Sequence, residues 1–164
     1  MNRLREDWVD RWNFDGLSES WDEPEGGREN HLPSEAVHAQ VLEAAAARIA
    51  PRPGETGLDA GTGDGAFAVR LHRPEVRLAA IDQSRRMLAH CRRRVPGIDA
   101  RLGNLLSLPF FDGRFDFVVT SFALHHLSEE QRPLALGEMV RVLKPKGRIA
   151  VVDWMTDLPG ERAR

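Results

Sequence analysis

The chain has 164 residues, 41% hydrophobic and 29% charged, with a formal net charge of -2. That length suits one domain with a real core, and the balanced charge excludes a global basic field for nucleic acid or an acidic membrane surface. A single cysteine, Cys91, excludes an internal disulfide framework or cysteine-rich zinc site, and no apolar run reaches the ~20 residues of a membrane span. No metal site is expected. MNRLREDWVD has no apolar signal core, so the expected location is cytoplasmic.

Residues 1–33 read as an extension distinct from a domain over 34–164. They hold Trp8, Trp12 and Trp21, many acids, and the loop-like DEPEGGREN, with a short helix expected over Arg3 to Trp12. Ser34 is placed to cap the next helix, which carries Val37, Val41, Leu42 and Ile49 at helical spacing and stops at Pro51 and Pro53. TGLDA is then a strand running into a glycine turn, and GAFAVRLHR a helix beyond it. EVRLAAID is a second strand, followed by the helix SRRMLAHCRRRV with Ser84 as its cap. Cys91 in that helix is a half-buried packing residue, because neighbouring helical positions point about 100° apart and His90 cannot face it. GIDARLGN holds a third strand and RFDFVVTSFA an apolar fourth. SEEQRPLALGEMVRVLKPKG predicts a helix with a capping box, Ser128 and Gln131, and a stop at Gly147. RIAVVDW is the fifth strand. Strands alternating with helices imply a parallel sheet covered on both faces.

In such a sheet ligands bind beyond the carboxyl ends of the strands, which singles out the turn LDAGTGDGAF after the first. Its spacing, Gly61-x-Gly63-x-Gly65, is one residue tighter than the dinucleotide fingerprint, and no Gly-Lys-Ser/Thr follows as a phosphate loop would require. Asp59 and Asp64 argue against pyrophosphate, whose charge they would repel. A glycine turn alone can also serve without any ligand. Asp82 ends the second strand, seventeen residues beyond Gly65, where a carboxylate can accept hydrogen bonds from a ribose diol. A ribose-bearing cofactor with positive charge and no phosphate suits these groups. S-adenosylmethionine has a ribose, an ammonium and a sulfonium.

With these landmarks, LDAGTGDG, AAIDQSRRML, GNLLSLPFFDGRFDFVV, TSFALHHL and RVLKPKGRIAVVD, the chain resembles the class I S-adenosylmethionine-dependent methyltransferases, in particular the small-molecule, ubiquinone/menaquinone-biosynthesis branch. The resemblance covers roughly residues 34 to 153. It implies an α/β, Rossmann-like doubly wound sheet of five parallel strands in order 3-2-1-4-5 with helices on both faces. It further implies that Gly61, Thr62 and Gly63 form the turn under the cofactor's methionine portion and that Asp59 helps hold its ammonium. Asp82 takes the ribose hydroxyls, Gln83 lies beside the adenosine, Asn104 and Leu105 flank the adenine, and Ser121 lies close to the transferred methyl.

Methyl transfer from a sulfonium needs mainly an aligned acceptor, and a base only where the acceptor must lose a proton. His125 and His126, after the fourth strand, are the candidates for that base, with packing the competing role. Trp12, Phe14, Trp21 and His31 could form a lid and acceptor pocket, or pin the extension to the sheet. The expected activity is methyl transfer from S-adenosylmethionine to a small-molecule acceptor, with S-adenosylhomocysteine as product. Relatives usually add a sixth and seventh strand that have no counterpart here. That departure motivates two further expectations: a cofactor-binding but inactive module acting through a protein partner, and a homodimer that covers the open edge. A nicotinamide-dependent oxidoreductase is disfavoured by the glycine spacing and Asp64.

Overall fold

The computed structural model describes residues 35–153. The 1–33 extension, its boundary with the domain and the cap at Ser34 lie outside these residues. The first helix, α1 (Glu35–Ile49), buries Leu42, Ala46 and Ile49, an i, i+4, i+7 stripe. Val37 and Val41, expected in that stripe, are instead 44% and 40% exposed. The small Ala46 permits close approach to the sheet, and the stripe's centre follows it, away from the valines.

The strands are β1 (Thr56–Ala60), β2 (Arg77–Asp82), β3 (Asp99–Leu102), β4 (Phe115–Ser121) and β5 (Leu143–Val152). All pair in parallel, in the order β3-β2-β1-β4-β5, as the resemblance implied. The helices between them are α2 (Ala68–Leu71), α3 (Arg85–Arg94) and α4 (Gln131–Val142). Helices α1, α2 and α3 cover one face, where Leu42, Phe67, Leu71, Leu88 and Cys91 meet Ala80, Phe117 and Val119. On the other face Met139 and Val142 of α4, with Leu105, Leu106 and Phe110 from the β3–β4 connection, meet Leu58, Ile81 and Val118. Such burial contributes roughly 1.5–3 kcal/mol for each large side chain.

Two boundaries differ from the sequence reading. The helix expected over GAFAVRLHR shortens to Ala68–Leu71, because Asp64 and Gly65 bend the chain into turns first. The Ser128–Gln131 capping box forms, with Ser128 N–H donating to Gln131 Oε1 and Gln131 N–H to Ser128 Oγ. Helix α4, however, ends at Val142 rather than Gly147, and Leu143 already pairs with Phe115. Lys144 donates to Asp116 and Arg148 pairs with Glu55, tying β5 to the amino ends of β4 and β1. Those ion pairs draw the LKPKG segment onto the sheet edge. A register irregularity between Phe115 and Phe117 puts these two rings on opposite faces, against simple alternation. Phe117 lies directly over Gly57 of β1, where a Cβ would collide with the ring.

Candidate active site

The carboxyl ends of β1, β2 and β4 converge where the order of the sheet reverses, between β1 and β4. The turn after β1 is tied across to β2, since the Gly61 and Thr62 amides both donate to the Ile81 carbonyl at 2.9 Å. Gly61, Gly63 and Gly65 all have positive φ, at 75°, 54° and 87°. Gly61 is also required for space, because a Cβ there would stand 2.8 Å from the Ala123 Cβ. That contact brings the loop after β4 against the glycine turn. Leu105, buried and 3.6 Å from the same point, closes the third side.

Asp59 sits on β1 facing α2 and α3, and is fully buried. Its Oδ2 accepts a 2.8 Å hydrogen bond from the Thr62 hydroxyl, while the buried Oδ1 makes no well-aligned hydrogen bond among the described residues, although the Ala68 amide lies close enough to favour the ionised form. Burial pushes its carboxyl up from 3.8 to about 7; the Thr62 hydroxyl opposes this and the nearby Asp82 charge adds to it. A buried acid with a perturbed carboxyl beside a glycine turn marks a candidate ligand site. The Thr62 hydroxyl also lies 3.7 Å from Cys91 Sγ. Cys91 is inert packing, as expected: it is buried, and burial pushes its thiol up to about 11.

Asp82, at the tip of β2, accepts from the Gly63 amide through Oδ2 and from the Ser84 amide through Oδ1, both at 2.9 Å. These bonds fix the carboxylate at the strand tip, beside the glycine turn. Gln83 follows, half-buried. Ser84 caps α3 by accepting from the Met87 amide. Ser121 ends β4 at the same rim.

One expectation is modified. Asp64 does not present an unmet charge to the site: its Oδ1 accepts from the Ala66 amide and its Oδ2 lies 3.1 Å from the Arg94 guanidinium. The electrostatic preference for a cationic ligand therefore rests on Asp59 and Asp82. Asn104 Oδ1 accepts from the Leu106 amide at 2.7 Å, closing its own turn beside the buried Leu105. Trp12, Phe14, Trp21 and His31 lie outside the described residues.

The two histidines separate. His125 Nδ1 lies 2.6 Å from Asp153 Oδ1, and Asp153 Oδ2 accepts from the Leu124 and His125 amides at 2.7 and 3.2 Å. His126 is held in a tilted stack on His125, ring centroids 3.9 Å apart, and burial pushes its imidazole down to about 4. It is neutral and packed near neutral pH. Asp153 carries no role in the sequence reading, although it stands at a strand tip just as Asp82 does.

A parallel sheet in this order, with a Gly-x-Gly-x-Gly turn between a buried acid on β1 and an acid at the tip of β2, defines the class I S-adenosylmethionine-dependent methyltransferase fold. The chemistry of these groups fits that cofactor, with Asp59 and Asp82 the residues that would meet its ammonium and its ribose. Residues 58–147 match the family model described as a methyltransferase domain, and the chain belongs to that family. It is 37% identical over 108 residues to a demethylmenaquinone methyltransferase of Beutenbergia cavernae, covering 66% of this chain and 44% of that one. It is 35% identical over 133 residues to a ubiquinone/menaquinone biosynthesis C-methyltransferase of Dinoroseobacter shibae, covering 76% and 52%. The YcgJ protein of Bacillus subtilis superposes with a TM-score of 0.62 at 29% identity, over 71% of this chain and 50% of that one. The chain thus spans about half the length of the curated relatives it matches.

Proposed function

We propose that this chain binds S-adenosylmethionine and transfers its methyl group to a small-molecule acceptor, releasing S-adenosylhomocysteine. The observation that carries the proposal is the placing of two acids, Asp59, fully buried, and Asp82, on either side of the glycine turn. When bound, the cofactor supplies an electrophilic methyl on a sulfonium. The chain's residues do the rest. Asp59 holds the ammonium, Asp82 the ribose hydroxyls, Leu105 packs on the adenine beside Gln83, and Gly61, Thr62, Gly63 and Ser121 line the methionine end. Closing the apolar wall excludes water and aligns the acceptor, which is where most of the acceleration of a displacement originates. The names of the relatives support a quinol-like acceptor. Titration calorimetry with S-adenosylhomocysteine tests the reading, and absence of binding by the folded protein sinks it. Turnover of labelled cofactor against a metabolite panel separates an enzyme from a binding module.

The same reading takes the protein as cytoplasmic; among the described residues no helix is long and apolar enough to cross a membrane. It also includes a homodimer through the β5 edge. Ile149 and Val151 of β5 are 42% and 46% exposed, and Leu136 and Val140 of α4 are 37% and 61% exposed, which supports an apolar contact between two copies beside that edge. Light scattering that gives a monomer at high concentration excludes the dimer.

A further inference from the structure

We infer that Asp153 is a positioning residue for the cofactor cleft: from the tip of β5 it clamps the loop after β4, and that loop holds Ala123 against the glycine turn. The inference rests on the S-adenosylmethionine reading above and adds to it a residue that acts through another, Ala123, rather than on the ligand.

The chain leaves β4 at Ser121 and turns at once. Phe122 takes a φ of 51°, a left-handed conformation that a bulky side chain rarely adopts. A short 3₁₀ turn, Leu124–His126, follows, and Ala123 before it supplies no side-chain cap. The first amides of such a turn have no acceptor within it. Asp153 provides one from another strand: its Oδ2 accepts from the Leu124 and His125 amides at 2.7 and 3.2 Å. Its Oδ1 lies 2.6 Å from His125 Nδ1, and the side chain is 8% exposed. Bonds from backbone N–H groups to a carboxylate are short and strong, and burial shields them from competing water.

The clamp fixes Ala123 from both sides. Before it, the Phe122 amide donates to the Val152 carbonyl at 2.7 Å, and the Phe122 ring stacks on His38 of α1 with centroids 4.5 Å apart. After it, Asp153 holds Leu124 and His125, while Arg132 of α4 donates to the Leu124 carbonyl. Ala123 is thereby pressed on Gly61, so closely that a Cβ on that glycine would stand 2.8 Å from the Ala123 Cβ. Gly61 in turn is tied to β2 through the Ile81 carbonyl, and Leu105 closes on the same point at 3.6 Å. A strained aromatic residue persists only where its surroundings hold it. Without the carboxylate the loop can relax to an ordinary φ and carry Ala123 off the turn.

Two acids at strand tips thus hold the cleft in the same way. Asp82 accepts the Gly63 and Ser84 amides on the β2 side, and Asp153 accepts the Leu124 and His125 amides on the β4 side. Asp82 flanks the glycine turn itself. Asp153 stands on β5, with β4 between it and β1, so its effect on the turn travels through the loop. Such a coupling is reciprocal: a clamp that favours the bound cofactor is itself tightened when the cofactor binds.

The test uses the full chain with S-adenosylhomocysteine as probe. Amide hydrogen exchange followed by NMR should show Leu124 and His125 exchanging roughly tenfold more slowly, or slower still, once the probe is bound. In calorimetric titrations Asp153→Ala should weaken the probe roughly tenfold and Ala123→Gly roughly threefold. The double variant should bind no more weakly than Asp153→Ala alone, because both substitutions act through one contact. Asp153→Asn, whose amide oxygen can accept both backbone bonds, should recover most of the affinity, which a long-range charge effect would not. If the probe fails to bind the parent protein, the methyltransferase reading fails and the positioning role with it. If it binds but leaves the exchange of Leu124 and His125 unchanged, the positioning role alone is overturned. Single losses that add in the double variant, or an Asp153→Asn as weak as Asp153→Ala, overturn it likewise. The exchange measurement needs no substitution, so it decides the matter even where Asp153→Ala does not fold.

Discussion

Replacing Asp59 by asparagine should trade ligand binding for stability, with a sign that depends on pH. The carboxyl is fully buried and pushed from 3.8 to about 7 in the folded chain. Between those values the folded state holds one proton more than the unfolded state, so stability falls as pH rises through that window. Three pH units at 1.36 kcal/mol each put the ionisation cost at about 4 kcal/mol above pH 7, an upper figure for a group that can relax. Asparagine removes that cost. Its carbonyl can still accept from Thr62, but its amide lies where Asp59 Oδ1 makes no well-aligned hydrogen bond, which costs about 1–3 kcal/mol. The variant should therefore be about 1–3 kcal/mol less stable than the parent below pH 4, about equal to it near pH 5, and about 1–3 kcal/mol more stable at pH 8.5. Glu55, Asp99 and Asp116, whose carboxyls are held low chiefly by hydrogen bonds from Arg148, Arg101 and Lys144, contribute the opposite slope. That slope is common to both proteins and cancels in the difference. Urea denaturation at several pH values measures it, and calorimetry at pH 8 should show S-adenosylhomocysteine binding weakened in the variant. A stability difference that stays flat between pH 5 and 8.5 refutes the assignment of a buried, proton-bearing Asp59.

Asp82→Ala removes the acceptor of the Gly63 and Ser84 amides together with the ribose contacts, and should weaken S-adenosylhomocysteine binding by about 1.5–3 kcal/mol in a calorimetric titration. Gly61→Ala forces a left-handed residue at φ 75° and a methyl 2.8 Å from Ala123, so thermal denaturation should show a loss of at least about 1–2 kcal/mol. Arg141 pairs with Glu138 and Asp112 and donates to the Leu108 and Phe110 carbonyls. Arg141→Met should cost about 3 kcal/mol by stranding the buried Glu138 carboxylate, and Glu138→Gln in the same chain should recover part of that loss.

The sequence by itself determined the strands, their parallel pairing and the ligand turn. Alternating apolar runs, the Ser84 cap, the Ser128–Gln131 box and Gly61-x-Gly63-x-Gly65 are local signals, each set by backbone geometry within a few residues. Asp59 and Asp82 were legible for the same reason, since a carboxylate next to a glycine turn or at a strand tip is visible in one dimension. What only the tertiary structure decided are relations between distant segments. The stop of α4 moved from Gly147 to Val142 because Lys144 and Arg148 find Asp116 and Glu55 across the sheet. Asp64 lost its part as a repelling charge because α3 brings Arg94 to it. The two adjacent histidines, equivalent in the sequence, acquired different surroundings when β5 delivered Asp153 to one of them, 28 residues away, and burial kept the other neutral. Charge pairing and burial act over ångströms in space, and no local pattern of residue types encodes which distant partner arrives.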